Sequence, residues 1–191
     1  NYTDAKGDTV FMLAAWNQQA FMCEFLIAKG VDIKRENQNQ QTALHYACMK
    51  GNMPIIKLLL KHGADPEKRD SKGYTAVFCA AQFGHTAVMD FFKRNGANMT
   101  ALDDEKHRLL HWTAFSKKPL ATSWLLNEGI DGTAKDARGR SAVHWAAKQG
   151  NNNILEILVE YMHAEGYASL LSEEDSEGRT PLQLAQYYEN K

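Results

Sequence analysis

The sequence is poor in the features that mark most small catalytic and nucleic-acid-binding proteins. It has three cysteines in 191 residues, Cys23, Cys48 and Cys79. An odd, widely spaced set makes neither a disulfide framework nor a CxxC metal knuckle. These thiols read as small reduced apolar residues of a cytosolic protein. There is no basic excess: 22 Lys and Arg stand against 23 Asp and Glu, for a net charge of −1. Proteins that grip phosphate backbones usually show a clear surplus of positive charge, so nucleic acid is not an expected partner. The longest apolar run is Val10 to Trp16, far short of the roughly 20 residues that span a bilayer. The first residues do not read as a secretory leader. No glycine-rich phosphate loop of standard spacing is present. What remains is a chain with 44% hydrophobic and 24% charged residues, the composition of a folded soluble domain.

A repeat dominates what is there. Thr42-Ala43-Leu44-His45-Tyr46-Ala47 returns as Thr75-Ala76-Val77-Phe78-Cys79-Ala80, as Arg108-Leu109-Leu110-His111-Trp112-Thr113 and as Ser141-Ala142-Val143-His144-Trp145-Ala146. Upstream stands Thr9-Val10-Phe11-Met12-Leu13-Ala14; positions 9, 42, 75, 108 and 141 are each 33 residues apart. A last copy, Thr180-Pro181-Leu182-Gln183-Leu184-Ala185, follows after 39 residues, an insertion of six. A second phrase, Lys61-His62-Gly63-Ala64-Asp65, keeps the same step. A 33-residue period with T-x-L-H-x-A and G-A-D resembles the ankyrin repeat. The expected fold is an all-α solenoid of five full repeats and a truncated sixth, starting near residues 4, 37, 70, 103, 136 and 175. It forms one domain over residues 1–191.

Each unit can be read physically. Thr or Ser caps the first helix. Leu44, Ala47 and Cys48 share one helical face. Gly51, Gly84 and Gly150 end that helix in a left-handed conformation. Pro54 and Pro181 sit in first turns, where a missing N–H costs nothing. Gly30, Gly63, Gly96 and Gly129 close the second helix. Asp-led turns such as Asp70 to Gly73 lead onward, while the tips Asn37 to Gln40 and Asp103 to Lys106 lack the glycine. Each pair is too small to bury its own apolar face, so neighbours share a core. Repeat six stops after one helix, and Phe11, Phe21 and Met22 ask for an upstream repeat or cap. The chain therefore reads as part of a longer protein.

No residue set specifies catalysis, a metal or a cofactor. His45, His111 and His144 recur at one repeat position, and in ankyrin repeats this histidine is hydrogen-bonded within the turn framework. His107 and His111 form HxxxH, but the spacing crosses the expected helix start and the glutamate of HExxH is missing. Asn98-Met99-Thr100 is a sequon that stays silent in the cytosol. The surviving signal is a surface. Residues after the repeated His position, Leu13, Tyr46, Cys79, Trp112 and Trp145, are expected on the concave side. One turn on come Trp16 and Asn17, Met49 and Lys50, Gln82 and Phe83, Phe115 and Ser116, and Lys148 and Gln149. Large aromatics in an open groove anchor partner side chains. An Asn amide can pair with a peptide backbone through one donor and one acceptor. The expected partner-binding residues are Asn17, Tyr46, Trp16, Met49, Phe83, Trp112 and Trp145, in a monomer that takes protein or peptide ligands.

Local phrases narrow the resemblance. Ala80-Ala81-Gln82-Phe83-Gly84-His85-Thr86, the Leu110-His111-Trp112 and Val143-His144-Trp145 triplets, and Asp175 to Ala185 after its insertion are similar to ankyrin domains of DHHC-type protein S-acyltransferases (palmitoyltransferases). That resemblance implies a cytosolic module that recruits substrate proteins by short peptide motifs. The parent would be an integral protein of the Golgi or endomembranes, its cysteine nucleophile and zinc sites lying outside this chain. Family members use an Asn and an aromatic on early inner helices, matching Asn17 and Tyr46; Tyr46 stands where many have Trp, and Leu13 replaces another. The alternative is an ankyrin adaptor with no acyltransferase attached. A third reading, an enzyme built on the repeats themselves, predicts turnover by the isolated chain.

Overall fold

A computed structural model of the chain describes residues 2–189. It is an all-α stack of helix pairs, the solenoid class that the 33-residue period predicts. Among the described residues the sole β feature is one antiparallel bridge between Thr3 and Thr9. The inner helices are α1 (Val10–Trp16), α3 (Ala43–Lys50), α5 (Ala76–Phe83), α7 (Leu109–Phe115), α9 (Ala142–Lys148) and α11 (Pro181–Glu189). The outer helices are α2 (Ala20–Ala28), α4 (Met53–Lys61), α6 (Thr86–Arg94), α8 (Pro119–Asn127) and α10 (Asn152–Ala164), with a 3-10 turn at Ala168–Ser172. The helices gather into two compact units, one ending at Asn98 and one beginning at Met99.

In the first unit, α1, α3 and α5 pack side by side and each outer helix folds back on its own inner partner. Leu44, Ala47 and Cys48 lie buried on the shared face, as their spacing requires, with Ile55, Ile56 and Leu59 from α4 behind them. Small residues at this seam let neighbouring backbones approach. Cys23, Cys48 and Cys79 are free thiols, all inside this core. Burial pushes the Cys23 thiol up to about 11 and those of Cys48 and Cys79 well above their ordinary value. Phe11, expected to need an upstream cover, is instead fully buried within the unit. Phe21 and Met22 on α2 are exposed.

In the second unit, α7, α9 and α11 form the inner row and α8 and α10 the outer one. α10 runs 13 residues where the other outer helices have nine. The six-residue insertion is absorbed by this extra turn and by the 3-10 segment. Its Tyr161 packs so close to Gly132 that a Cβ there would collide with the ring.

The recurrent histidine explains how successive repeats are tied. His45 Nδ1 accepts from the Thr42 N–H at 3.1 Å, and its Nε2–H donates to the Tyr74 carbonyl of the next repeat at 3.1 Å. His111 and His144 do the same, reaching the carbonyls of Arg140 at 3.0 Å and Glu173 at 3.1 Å. Burial lowers the pKa of all three, His111 to about 4. They are neutral struts. With both ring nitrogens taken, His111 keeps no lone pair for a metal. Tip-to-tip backbone bonds add a second tie: Gln38 N–H to Lys6 and Ser71 N–H to Asn39 in the first unit, Ala137 N–H to Glu105 and Ser176 N–H to Arg138 in the second.

Candidate functional site

The first unit gathers Trp16, Asn17 and Tyr46 on its inner-helix face. Trp16 ends α1, and its ring meets the Tyr46 ring edge-on at 5.6 Å. Tyr46 is half-buried and its hydroxyl is anchored: it donates to the Asp8 carboxylate at 2.9 and 3.0 Å. Asn37 donates both to Asp8 at 2.7 Å and to the Tyr46 hydroxyl at 3.2 Å. Burial, then Asp8, pushes the phenol up to about 12. The ring is held as a fixed wall. Asn17 is exposed just past the helix end; one N–H of its amide donates to the Leu13 carbonyl at 2.9 Å. The other N–H and the carbonyl oxygen point to no partner among the described residues. The one-donor, one-acceptor pairing expected from the sequence is thus open. Leu13 stands beside it, 40% exposed.

Met49 and Phe83 form a second patch in the same unit, joined by His85. The His85 Nε2–H donates to the Met49 carbonyl at 2.9 Å, and Phe83 stacks on the His85 ring at 6.4 Å. Phe83 is 41% exposed. Cys79, expected on this surface, is instead buried in the core; a side chain as short as cysteine at this position stays between the inner helices, where tyrosine reaches out.

In the second unit, Trp112, Phe115 and Trp145 pack edge to face, with centroids 5.5 Å apart for Trp112 and Phe115 and 5.3 Å for Phe115 and Trp145. Trp112 Nε1 donates to Asp103 at 3.1 Å and Trp145 Nε1 to Asp136 at 3.0 Å. The crevice that these rings line with His107 and His111 has no room for a water molecule. These tryptophans mainly fill the seam between inner helices, and Trp145 is buried.

Sequence reasoning missed the side chains beneath them. His107 is buried between two carboxylates, its Nδ1 at 2.8 Å from Asp103 and its Nε2 at 3.4 Å from Asp136. Burial opposes its charge, but the two carboxylates outweigh burial and raise it to about 9. Arg140 reaches the same Asp136 oxygen with Nε at 2.9 Å and Nη2 at 2.8 Å, and its guanidinium lies 4.4 Å from the Trp145 ring. Burial works against ionisation of Asp136, yet the His107 ring 3.4 Å away, the Arg140 backbone N–H and the Arg140 side chain hold its carboxyl well below the usual range. His107 and Arg140 occupy the fifth position of their repeats, where Asp8, Gln41, Tyr74 and Arg179 also stand. Reading down that column would have revealed the pairing with the first-position Asp.

A family model of ankyrin repeats, in three copies, matches residues 11–103 and 110–191. The chain belongs to the ankyrin-repeat family. Ankyrin repeats mediate protein–protein interaction, and an exposed amide beside fixed aromatic rings suits such a role in this ankyrin chain. Among its described residues no helix is long and apolar enough to cross a membrane.

Proposed function

We propose that the inner-helix face of the first unit binds short extended peptide segments of partner proteins, and that the chain is the substrate-recruiting cytosolic segment of a DHHC-type protein S-acyltransferase of the Golgi or endomembranes. The observation that carries the binding reading is the exposed Asn17 amide, with one N–H and its oxygen free, beside the fixed Trp16–Tyr46 corner. An extended backbone satisfies both amide functions at once. Leu13, Trp16 and Met49 offer apolar seats for a proline or aliphatic side chain. The acyltransferase part rests on the phrases from Ala80 to Thr86, the two His-Trp pairs and the ending from Asp175.

Binding of proline-containing hydrophobic peptides is measured by fluorescence anisotropy with wild type, Asn17→Ala and Tyr46→Ala. Asn17→Ala is the cleaner variant, because its one hydrogen bond to protein lies within its own helix end. The expected result is affinity weakened by about tenfold, the scale of one anchor residue, with an unchanged melting curve. Unchanged affinity in both variants defeats the site. The parent's downstream sequence decides the enzyme assignment: about 20-residue apolar runs and a cysteine-rich segment support it, and a different domain there replaces it with an adaptor.

A further inference from the structure

The aromatic corner of the first unit already holds a cation of its own. Lys50, the last residue of α3, places its Nζ 3.8 Å from the centroid of the Trp16 ring. Lys50 is half-buried, and no carboxylate partners it among the described residues. Some basic side chains are paired with carboxylates, Lys68 with Glu36, Arg94 with Asp90 and Lys135 with Glu173; Lys50 approaches its ring more closely than Lys29 or Lys57, which lie 5.5 Å from Phe25 and Phe91. The nearby acid of this face, Asp8, is committed to Tyr46 and Asn37. The second unit, taken alone, shows the same device: Lys148 Nζ lies 5.3 Å from the Trp145 ring and 5.4 Å from the Tyr188 ring, again with no carboxylate partner among the described residues.

A ring face attracts a cation through its quadrupole. An empty face would welcome a ligand ammonium, but here the chain's own lysine takes it. A cationic ligand group would have to displace Lys50 and would be repelled by it. A partly desolvated ammonium without a counter-ion is, conversely, a place where a ligand carboxylate forms a charge-assisted bond. Trp16 and Asn17 are consecutive, so the ring that Lys50 covers and the amide that would hold the peptide backbone belong to the same helix end.

We propose that Lys50 makes this face select peptides that carry a carboxylate side chain next to the apolar or proline residue seated at the Trp16–Tyr46 corner. The proposal rests on the peptide-binding reading above and adds the charge of the ligand to it. A purely local role exists for Lys50 as well, since a cation at a helix C-terminus complements the macrodipole. That role alters stability and leaves peptide choice untouched.

The test uses ten-residue peptides with a central Leu-Pro and one flanking position made as Glu, Gln or Lys. Their affinities are measured for wild type, Lys50→Gln and Lys50→Arg at low and high salt, alongside melting curves. Wild type is expected to bind the Glu peptide about fivefold tighter than its Gln twin, the scale of a partly exposed ion pair, and the Lys peptide least. Lys50→Gln and high salt bring the Glu-to-Gln ratio to about one, while Lys50→Arg keeps it. Equal affinity for the Glu and Gln peptides in wild type overturns the proposal, as does a preference that survives Lys50→Gln. If the Gln peptide binds in an Asn17-dependent way and the Glu peptide no better, the selectivity fails while the binding site stands. If no peptide of the set binds, the site fails and the selectivity with it.

Discussion

The hydroxyl of Thr75 is buried and meets no hydrogen-bond partner among the described residues. In the repeat before it, Thr42 Oγ1 lies 3.0 Å from His45 Nδ1. The difference lies in one residue, since Phe78 stands where the ring nitrogens of histidine would be. A buried hydroxyl without a partner costs free energy, and its replacement by an isosteric methyl is close to neutral or favourable. Thr75→Val is therefore expected to leave stability unchanged or raise it by up to about 1 kcal/mol, whereas Thr42→Val should lose about 1 kcal/mol. Urea unfolding of both variants checks this; equal losses would refute the contrast. The histidine framework was legible in the sequence because its residue type recurs in register. The His107, Asp136 and Arg140 cluster is marked only by position, since the fifth-position column carries differing residue types across the repeats, and no periodic signal marks a pair such as Asp8 and Tyr46.

At the scale of the element, turn tips and helix ends demand the left-handed region whether or not glycine is present. Gly7, Gly73, Gly139 and Gly178 supply it at four tips, with φ of 80°, 81°, 70° and 70°. Gln40 and Lys106 adopt it at two others, with φ of 57° and 63°. Gln18 and Lys117 do so after α1 and α7, where Gly51, Gly84 and Gly150 serve other repeats. A Cβ in that region is strained. Lys106→Gly is expected to raise stability by about 0.5–1 kcal/mol, the relief of strain outweighing the added freedom of the unfolded chain. A fall in the chemical-denaturation midpoint would contradict this. The missing glycines could be read from the sequence, but that the backbone keeps its geometry without them could not. It is held by bonds such as Lys106 N–H to the Asp103 carbonyl at 3.1 Å. The insertion before the last repeat was legible as a count, yet its division between a longer α10 and a 3-10 turn follows from Tyr161 finding room over Gly132.

Taken as a whole molecule, the chain should lose stability on both sides of neutrality, through different histidines. His45, His111 and His144 have folded-state pKa values below the ordinary 6.5, so the unfolded chain takes up protons first as pH falls. Their contribution is present above about 6.5 and is lost as pH falls below it, in the case of His111 down through about 4. His107 is the reverse case, raised to about 9 by Asp103 and Asp136 against the effect of burial. Its contribution is complete below 6.5 and disappears as pH climbs through about 9. Melting temperatures from acid to alkaline pH are expected to fall at both ends, and His107→Gln should remove part of the alkaline fall. An alkaline limb unchanged in that variant would deny His107 its charge. The 33-residue period made the stacking legible at this scale, because hydrogen bonds of constant separation, His45 to Tyr74 and His111 to Arg140, follow from it. The inner-face lysines escaped notice because a cation resting on a ring leaves no trace in sequence spacing.

All three sulfhydryl groups sit in the first unit, each sealed in its interior and held in the unreactive protonated form. An alkylating reagent can reach them only when those particular helices part. Nature has thus installed, in one half of the chain, a built-in reporter of breathing that needs no introduced label.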